Sequence, residues 1–184
     1  YIISGFDIYF GLWDHDPQGN GGSYGDEYPY HTRAEMQAGD RPLFDLVEEF
    51  WPEYLTYNAY IDPSFEGTFV MVHDKAVEYT NKSRFLVDVT LTGDKDTSVS
   101  GNDQDNLLTG NVGDNGFTGG AGNDVIAGAA GSDRAFFAGV ASDYQIETKG
   151  EITIVTDTVD GRDGTDELTG IEVLVFHDKE VELE

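Results

Sequence analysis

Four nine-residue repeats run back to back from Gly101 to Phe136: GNDQDNLLT, GNVGDNGFT, GGAGNDVIA and GAAGSDRAF. Each opens with glycine (Gly101, Gly110, Gly119, Gly128), and each carries Asn or Asp at its sixth place (Asn106, Asn115, Asp124, Asp133). The eighth place holds Leu108, Phe117, Ile126 and Ala135, and Val99 falls on the same beat upstream. Such a period requires one small unit, built again and again and stacked on itself, because a single unit cannot bury its own apolar residue. The first six residues of each repeat predict a turn, where glycine permits backbone angles that a Cβ forbids. The last three predict a very short strand with one inward apolar side chain. Two repeats then make one coil, and each turn stacks on the turn two repeats later. A flexible Gly/Asp linker would not hold an apolar residue on every ninth position.

The same spacing predicts a ligand. Each turn aims main-chain carbonyls and one side-chain oxygen inward, so stacked turns enclose a cage of oxygens suited to a hard cation such as Ca²⁺. Asn106 should face Asp124 across one cage, and Asn115 should face Asp133 across another. Further candidate oxygen donors are Gly101, Asp103, Asp105, Gly110, Gly119, Ala121, Gly122, Asn123, Gly128 and Ala130. A third site is expected near Asp94, Asp96 and Asp105. Asn contributes a neutral oxygen, so these cages carry less negative charge than all-Asp ones. Gln104 stands where glycine is usual, and this weakens the first cage.

The third repeat matches G-G-x-G-x-D-x-U-x at every fixed position. From about Gly93 onward the chain resembles the RTX (repeats-in-toxin, hemolysin-type calcium-binding) family of type I secreted bacterial proteins. The segment after the repeats adds AFFAG, SDY, TDT and DGTDELTGIEVLVFHD to that likeness. The resemblance implies a right-handed parallel β-roll with Ca²⁺ between its turns. It also implies export by the type I secretion machinery and folding outside the cell, at a secreted, extracellular or cell-surface address. Antiparallel strands at about 144–147, 152–156 and 171–176 are expected to cap the open end of the roll. The expected fold class is mainly β, with a small N-terminal mixed α/β region over 1–91, the roll over 92–136 and the capping segment over 137–184.

Composition narrows the classes further. Against 36 acidic residues stand only 10 basic ones, a formal charge of −26. This argues against nucleic acid as a partner, since phosphates require Lys and Arg. It also opposes compaction by self-repulsion, which bound divalent cations would relieve. With no cysteine, disulfides contribute nothing. No apolar run reaches the length of a membrane span, so no membrane insertion is expected. The chain starts at Tyr1 without an initiating Met, and it reads as a fragment of something longer.

The first 90 residues are a different text, holding nine of the ten tyrosines and both tryptophans. Asp40 predicts the N-cap of a helix near 41–51, with Pro42 in its first turn and a stripe of Leu43, Phe44, Leu46, Val47 and Phe50. Thr68–His73 (TFVMVH) reads as a buried strand. Arg84–Thr92 alternates, with Phe85, Val87, Val89 and Leu91 on one face. Asp14, His15, Asp16, Asp26, Glu27, His31 and Glu35 form an acidic cluster without the H-E-x-x-H spacing of a zinc helix, and a solvated surface suits them better than a metal site. No serine lies in a G-x-S-x-G elbow, so no catalytic residue is assigned. Two alternatives remain beside the calcium module. One is the C-terminal part of a secreted hydrolase such as a metalloprotease. The other is an adhesin module whose aromatic first half binds an extracellular glycan or peptide.

Overall fold

The computed structural model describes Gly5, Tyr9, residues 29–30, 33–50, 58–73 and 86–183. The chain divides into two units. One comprises Tyr1–Leu55 with Asp74–Phe85, and the other Thr56–His73 with Leu86–Glu184.

In the first unit, helices α1 (Arg33–Gly39) and α2 (Arg41–Phe50) follow one another. Asp40 caps α2 as expected, its Oδ1 accepting the Leu43 N–H at 3.3 Å. Leu43, Phe44 and Val47 are buried, whereas Leu46 and Phe50 are exposed. The apolar stripe is therefore narrower than its spacing suggests. Sequence reasoning missed α1, whose one buried side chain, Met36, sits in a segment too short to show a period.

The second unit is mainly β, built from two sheets of mostly parallel strands. One sheet runs in the order β1 (Asn58–Ile61), β3 (Asp88–Leu91), β5 (Leu107–Thr109), β7 (Val125–Ala127), β11 (Thr165–Thr169), β10 (Ile152–Asp157), β9 (Tyr144–Lys149). The other runs β13 (Glu180–Glu182), β12 (Val173–Val175), β8 (Arg134–Phe136), β6 (Gly116–Thr118), β4 (Thr97–Ser100), β2 (Gly67–Val70). Consecutive strands of the repeats alternate between the sheets, and each pairs in parallel with the strand two repeats on: Leu108 with Ile126, and Phe117 with Ala135.

The nine-residue beat is visible as two facing columns. Val89, Leu108, Ile126 and Leu168 line one sheet, and Val99, Phe117, Ala135 and Leu174 line the other, none more than 1 % exposed. Each register pair sets one column member on the next. Complete burial of such a side chain contributes about 1.5–3 kcal/mol, so the columns are the main source of cohesion. Strands of three residues have few hydrogen bonds of their own and depend on this packing.

Several expectations need correction. The stack is longer than the repeats. It begins at β1 and β2, where β1 pairs with β3 and β2 with β4, both in parallel. It continues past them, where β11 lies parallel on β7 and β12 parallel on β8. The strand expected at 171–176 is thus a further rung, antiparallel only to β13. Strand β11 was not foreseen, because its text, TDELT, has a single apolar residue. The hairpin β9–β10 is antiparallel as expected, and it extends one sheet beyond β11. The TFVMVH strand is not buried through its length. Phe69 and Met71 turn to the core, while Val70 and Val72 are 60 % and 56 % exposed, as befits a strand with one neighbour among the described residues. In the next segment Leu86 is buried and Val87 is not, because the strand starts only at Asp88.

A compact knot of side chains closes around β9 and the loop after β10. Phe137, Tyr144 and Phe176 meet with ring centroids 4.9–5.3 Å apart. The Arg162 guanidinium lies 5.1 Å from the Tyr144 ring and donates to both Asp157 oxygens at 2.6 and 2.7 Å. Tyr144 donates to Asp163 Oδ2 and accepts the Gly139 N–H. Burial and the hydrogen bond to Asp163 push the Tyr144 hydroxyl well above its usual range. Among the described residues no helix is long and apolar enough to cross a membrane.

Candidate metal centre

The sixth residue of every repeat turns inward and is buried: Asn106, Asn115, Asp124 and Asp133 are all at most 2 % exposed. Opposite it stands the glycine that opens the same repeat. A Cβ on Gly110 would come within 2.6 Å of Asn115 Oδ1, and one on Gly128 within 2.5 Å of Asp133 Oδ2. Gly101 and Gly119 face Asn106 and Asp124 in the same way. The volume of a side chain at place one is thus taken by the oxygen at place six. Carbonyls of the next coil press on these glycines as well: Gly119 O on Gly101, Gly128 O on Gly110 and Gly170 O on Gly128.

Stacking pairs the turns two repeats apart. Asn106 N–H donates to Asp124 Oδ1, and Asn115 N–H to Asp133 Oδ1, each at 2.8 Å. The ladder then leaves the repeats. Asp124 N–H donates to Asp166 Oδ1 at 3.0 Å, and Asp133 N–H to Glu172 Oε2 at 2.7 Å. Sequence reasoning did not single out Asp166 or Glu172. A signal existed in the spacing of DGTDELTGIE, whose Leu168 and Glu172 follow turn-like glycines, but the inserted hairpin breaks the nine-residue count.

The two halves of the ladder differ. In the first two repeats the Asn residues satisfy one another. Asn102 N–H donates to Asn106 Oδ1 and Asn111 N–H to Asn115 Oδ1, at 2.8 and 2.9 Å. The Asn106 and Asn115 amides return hydrogen bonds to Asn102 Oδ1 and Asn111 Oδ1. In the last two repeats place two is Gly120 (φ +104°) and Ala129 (φ +78°). Asp124 Oδ2 and Asp133 Oδ2 are left buried with no hydrogen-bond partner among the described residues. Burial raises both carboxyls, to about 7 for Asp124 and about 6 for Asp133. Asp166 rises to about 8, through burial and the nearby charges of Asp124, Asp163 and Asp157.

These orphaned oxygens are the feature that fits a cation. A buried carboxylate without a partner is costly, and a bound cation removes the cost. The donors at hand are carboxylate and carbonyl oxygens only, a set for a hard ion such as Ca²⁺. Among the described residues no three His, Asp or Glu side chains come together as a metal cluster. Main-chain carbonyls would therefore complete the coordination.

The other expected ligands fall as follows. Gly119 and Gly128 carbonyls lie in the stacked turns, as above. Asp103 turns its carboxylate to His73 Nδ1 at 2.5 Å. Asp105 Oδ1 accepts the Asn123 N–H at 2.7 Å, and Asp96 Oδ1 accepts the Asp114 N–H at 2.9 Å. The structure thus places Asp96 and Asp105 on different stacks of turns. Ala121 and Ala130 N–H groups donate to Asn102 O and Asn111 O. Gly122 O packs against Gly164 of the following coil. Asp14, His15, Asp16, Asp26, Glu27 and His31 lie outside the described residues; Glu35 is an exposed residue of α1.

No family model matches the chain. No curated protein matches it either.

Proposed function

We propose that this chain is a calcium-binding repeat module of the RTX type, a right-handed parallel β-roll that folds when Ca²⁺ binds after export through a type I secretion system. The observation that carries it is the pair of buried, partnerless carboxylate oxygens, Asp124 Oδ2 and Asp133 Oδ2, each facing the glycine that opens its own repeat. Bound Ca²⁺ would supply the positive charge that these groups lack. The chain's own residues would hold it through Asp124, Asp133 and turn carbonyls, and would exclude water through the apolar columns behind. In a calcium-poor compartment the buried carboxylates and the charge of −26 oppose folding. In calcium the same groups favour it, because ion binding is coupled to folding.

The test is far-UV circular dichroism during a Ca²⁺ titration from a chelated start. The expected result is a cooperative gain of β signal with saturable calcium uptake. A spectrum and a calcium content that both stay flat would refute the function.

A further inference from the structure

The ladder of sixth-place residues passes through four turns of two chemical kinds, and the change falls between the second and third repeats. In the Asn turns the side-chain oxygens of Asn102, Asn106, Asn111 and Asn115 each have a donor. The place-two N–H bonds the place-six oxygen, the place-six amide bonds the place-two oxygen, and the place-two oxygen also takes the N–H of Gln104 or Gly113 at 3.0 and 2.8 Å. The remaining amide hydrogens reach back one coil. Asn102 Nδ2 donates to Leu86 O, and Asn111 Nδ2 to Thr92 O and Lys95 O. Asn115 Nδ2 likewise donates to Thr97 O at 3.1 Å. Amide NH₂ groups thus do for these carbonyls what a cation would do, at no net charge.

The Asp turns are built otherwise. Each Asp has one oxygen bonded and one not: Oδ1 accepts an N–H of the coil before, and Oδ2 has no partner among the described residues. Asp133 Oδ1 looks back and accepts the Asn115 N–H. Asp133 Oδ2 and Gly170 O both lie against Gly128, as Asn115 Oδ1 and Gly128 O lie against Gly110, but Asp133 Oδ2 has no donor among the described residues. Ala129, next to Gly128, holds a left-handed φ of +78°, the one non-glycine to do so among the described residues. Such a conformation is strained for an L-residue, and it is retained at the turn whose Asp133 Oδ2 lacks a hydrogen-bond partner among the described residues. The coil ahead supplies a second carboxylate in each column, Asp166 for Asp124 and Glu172 for Asp133.

We infer that the Asn turns close without metal, and that cation binding sits one coil further on. One ion lies between Asp124 and Asp166, the other between Asp133, Glu172 and the Gly170 carbonyl. This deepens the calcium function proposed above and rests on it. Asn106 Oδ1 and Asn115 Oδ1 already accept the N–H groups of Asn102 and Asn111, so the gaps from Asn106 to Asp124 and from Asn115 to Asp133 take no ion. Calcium then acts where the last two repeats meet the segment after them, and the Asn turns need no ion of their own.

Equilibrium dialysis against Ca²⁺ alone decides it, with folding followed by circular dichroism in saturating calcium. Asp166→Asn and Glu172→Gln keep an acceptor for the ladder N–H but remove a charge. Each is expected to abolish one bound ion or weaken it at least about tenfold. Asn106→Ser and Asn115→Ser are expected to lower stability yet leave calcium affinity within about threefold. Unchanged binding in both the Asp166 and Glu172 variants would overturn the assignment by itself, whether or not the serine variants fold. Loss of an ion in a folded serine variant would overturn it too, while the parent's calcium uptake would leave the general function standing. A parent chain that takes up no Ca²⁺ would refute both together.

Discussion

At the scale of single residues, the glycines that open the repeats are explained by what lies opposite them. Gly110→Ala would push a Cβ against the Gly128 carbonyl of the next coil and within 2.6 Å of Asn115 Oδ1. Both neighbours are fixed by the ladder, so the change is expected to cost about 3 kcal/mol in urea unfolding at saturating calcium. Gly150 has a left-handed φ of +67° and open space around it, so Gly150→Ala should cost only about 1 kcal/mol. Equal losses at the two sites would contradict the close approach. Asp157 makes a second residue-level prediction. The Arg162 guanidinium, bonded to both its oxygens, holds its carboxyl below the usual range. A depressed folded value means that the stabilisation is present above the unfolded value, near 3.8, and is lost as pH falls through the folded one. Asp157→Asn should therefore destabilise by about 2 kcal/mol at neutral pH, and the gap to the parent should close below about pH 4. A gap independent of pH would show that the ion pair contributes nothing. Both predictions concern features that sequence spacing alone reports unevenly: Gly110 is marked by its period, whereas Asp157 and Arg162 look like ordinary surface charges.

At the scale of elements, three-residue strands hold together through their inward columns. Ile126 sits between Leu108 and Leu168 and is 1 % exposed. Ile126→Asp would place an unpaired charge in that column. It is expected to abolish the β spectrum even in excess calcium; a parent-like spectrum would contradict the column. The inward residues of the repeats were legible one by one, because the eighth place repeats without exception. Strands β1, β2, β11 and β12 carry no such count. An insertion of chain separates β2 from β3, and the β9–β10 hairpin separates β8 from β11, so the period is interrupted though the stack is not. Short apolar words such as TFVM or EVLV suit a parallel rung and an antiparallel cap equally well.

At the scale of the whole molecule, charge opposes the stack. The formal charge is −26, and repulsion of this size is screened over about 8–10 Å at physiological salt. In the absence of calcium, raising NaCl from about 0.05 to about 0.5 M is expected to raise the β signal of the chain. A signal that does not change would mean that self-repulsion is not what opposes folding of the calcium-free chain.

The sequence alone was enough for the turn-strand period, the inward residues of the repeats and the candidate ligands at their sixth places. Each of these is a local property that recurs, and recurrence can be read along a line. Which carboxylates stand beside Asp124 and Asp133 depends on how far the stack extends, and only the tertiary structure decided that. Asp166 and Glu172 reach the ladder because β11 and β12 add another parallel rung across a hairpin of unrelated length. Contacts of this kind join residues about forty positions apart. They are set by the burial of Leu168 and Leu174 in columns begun by the repeats, and no local pattern records them.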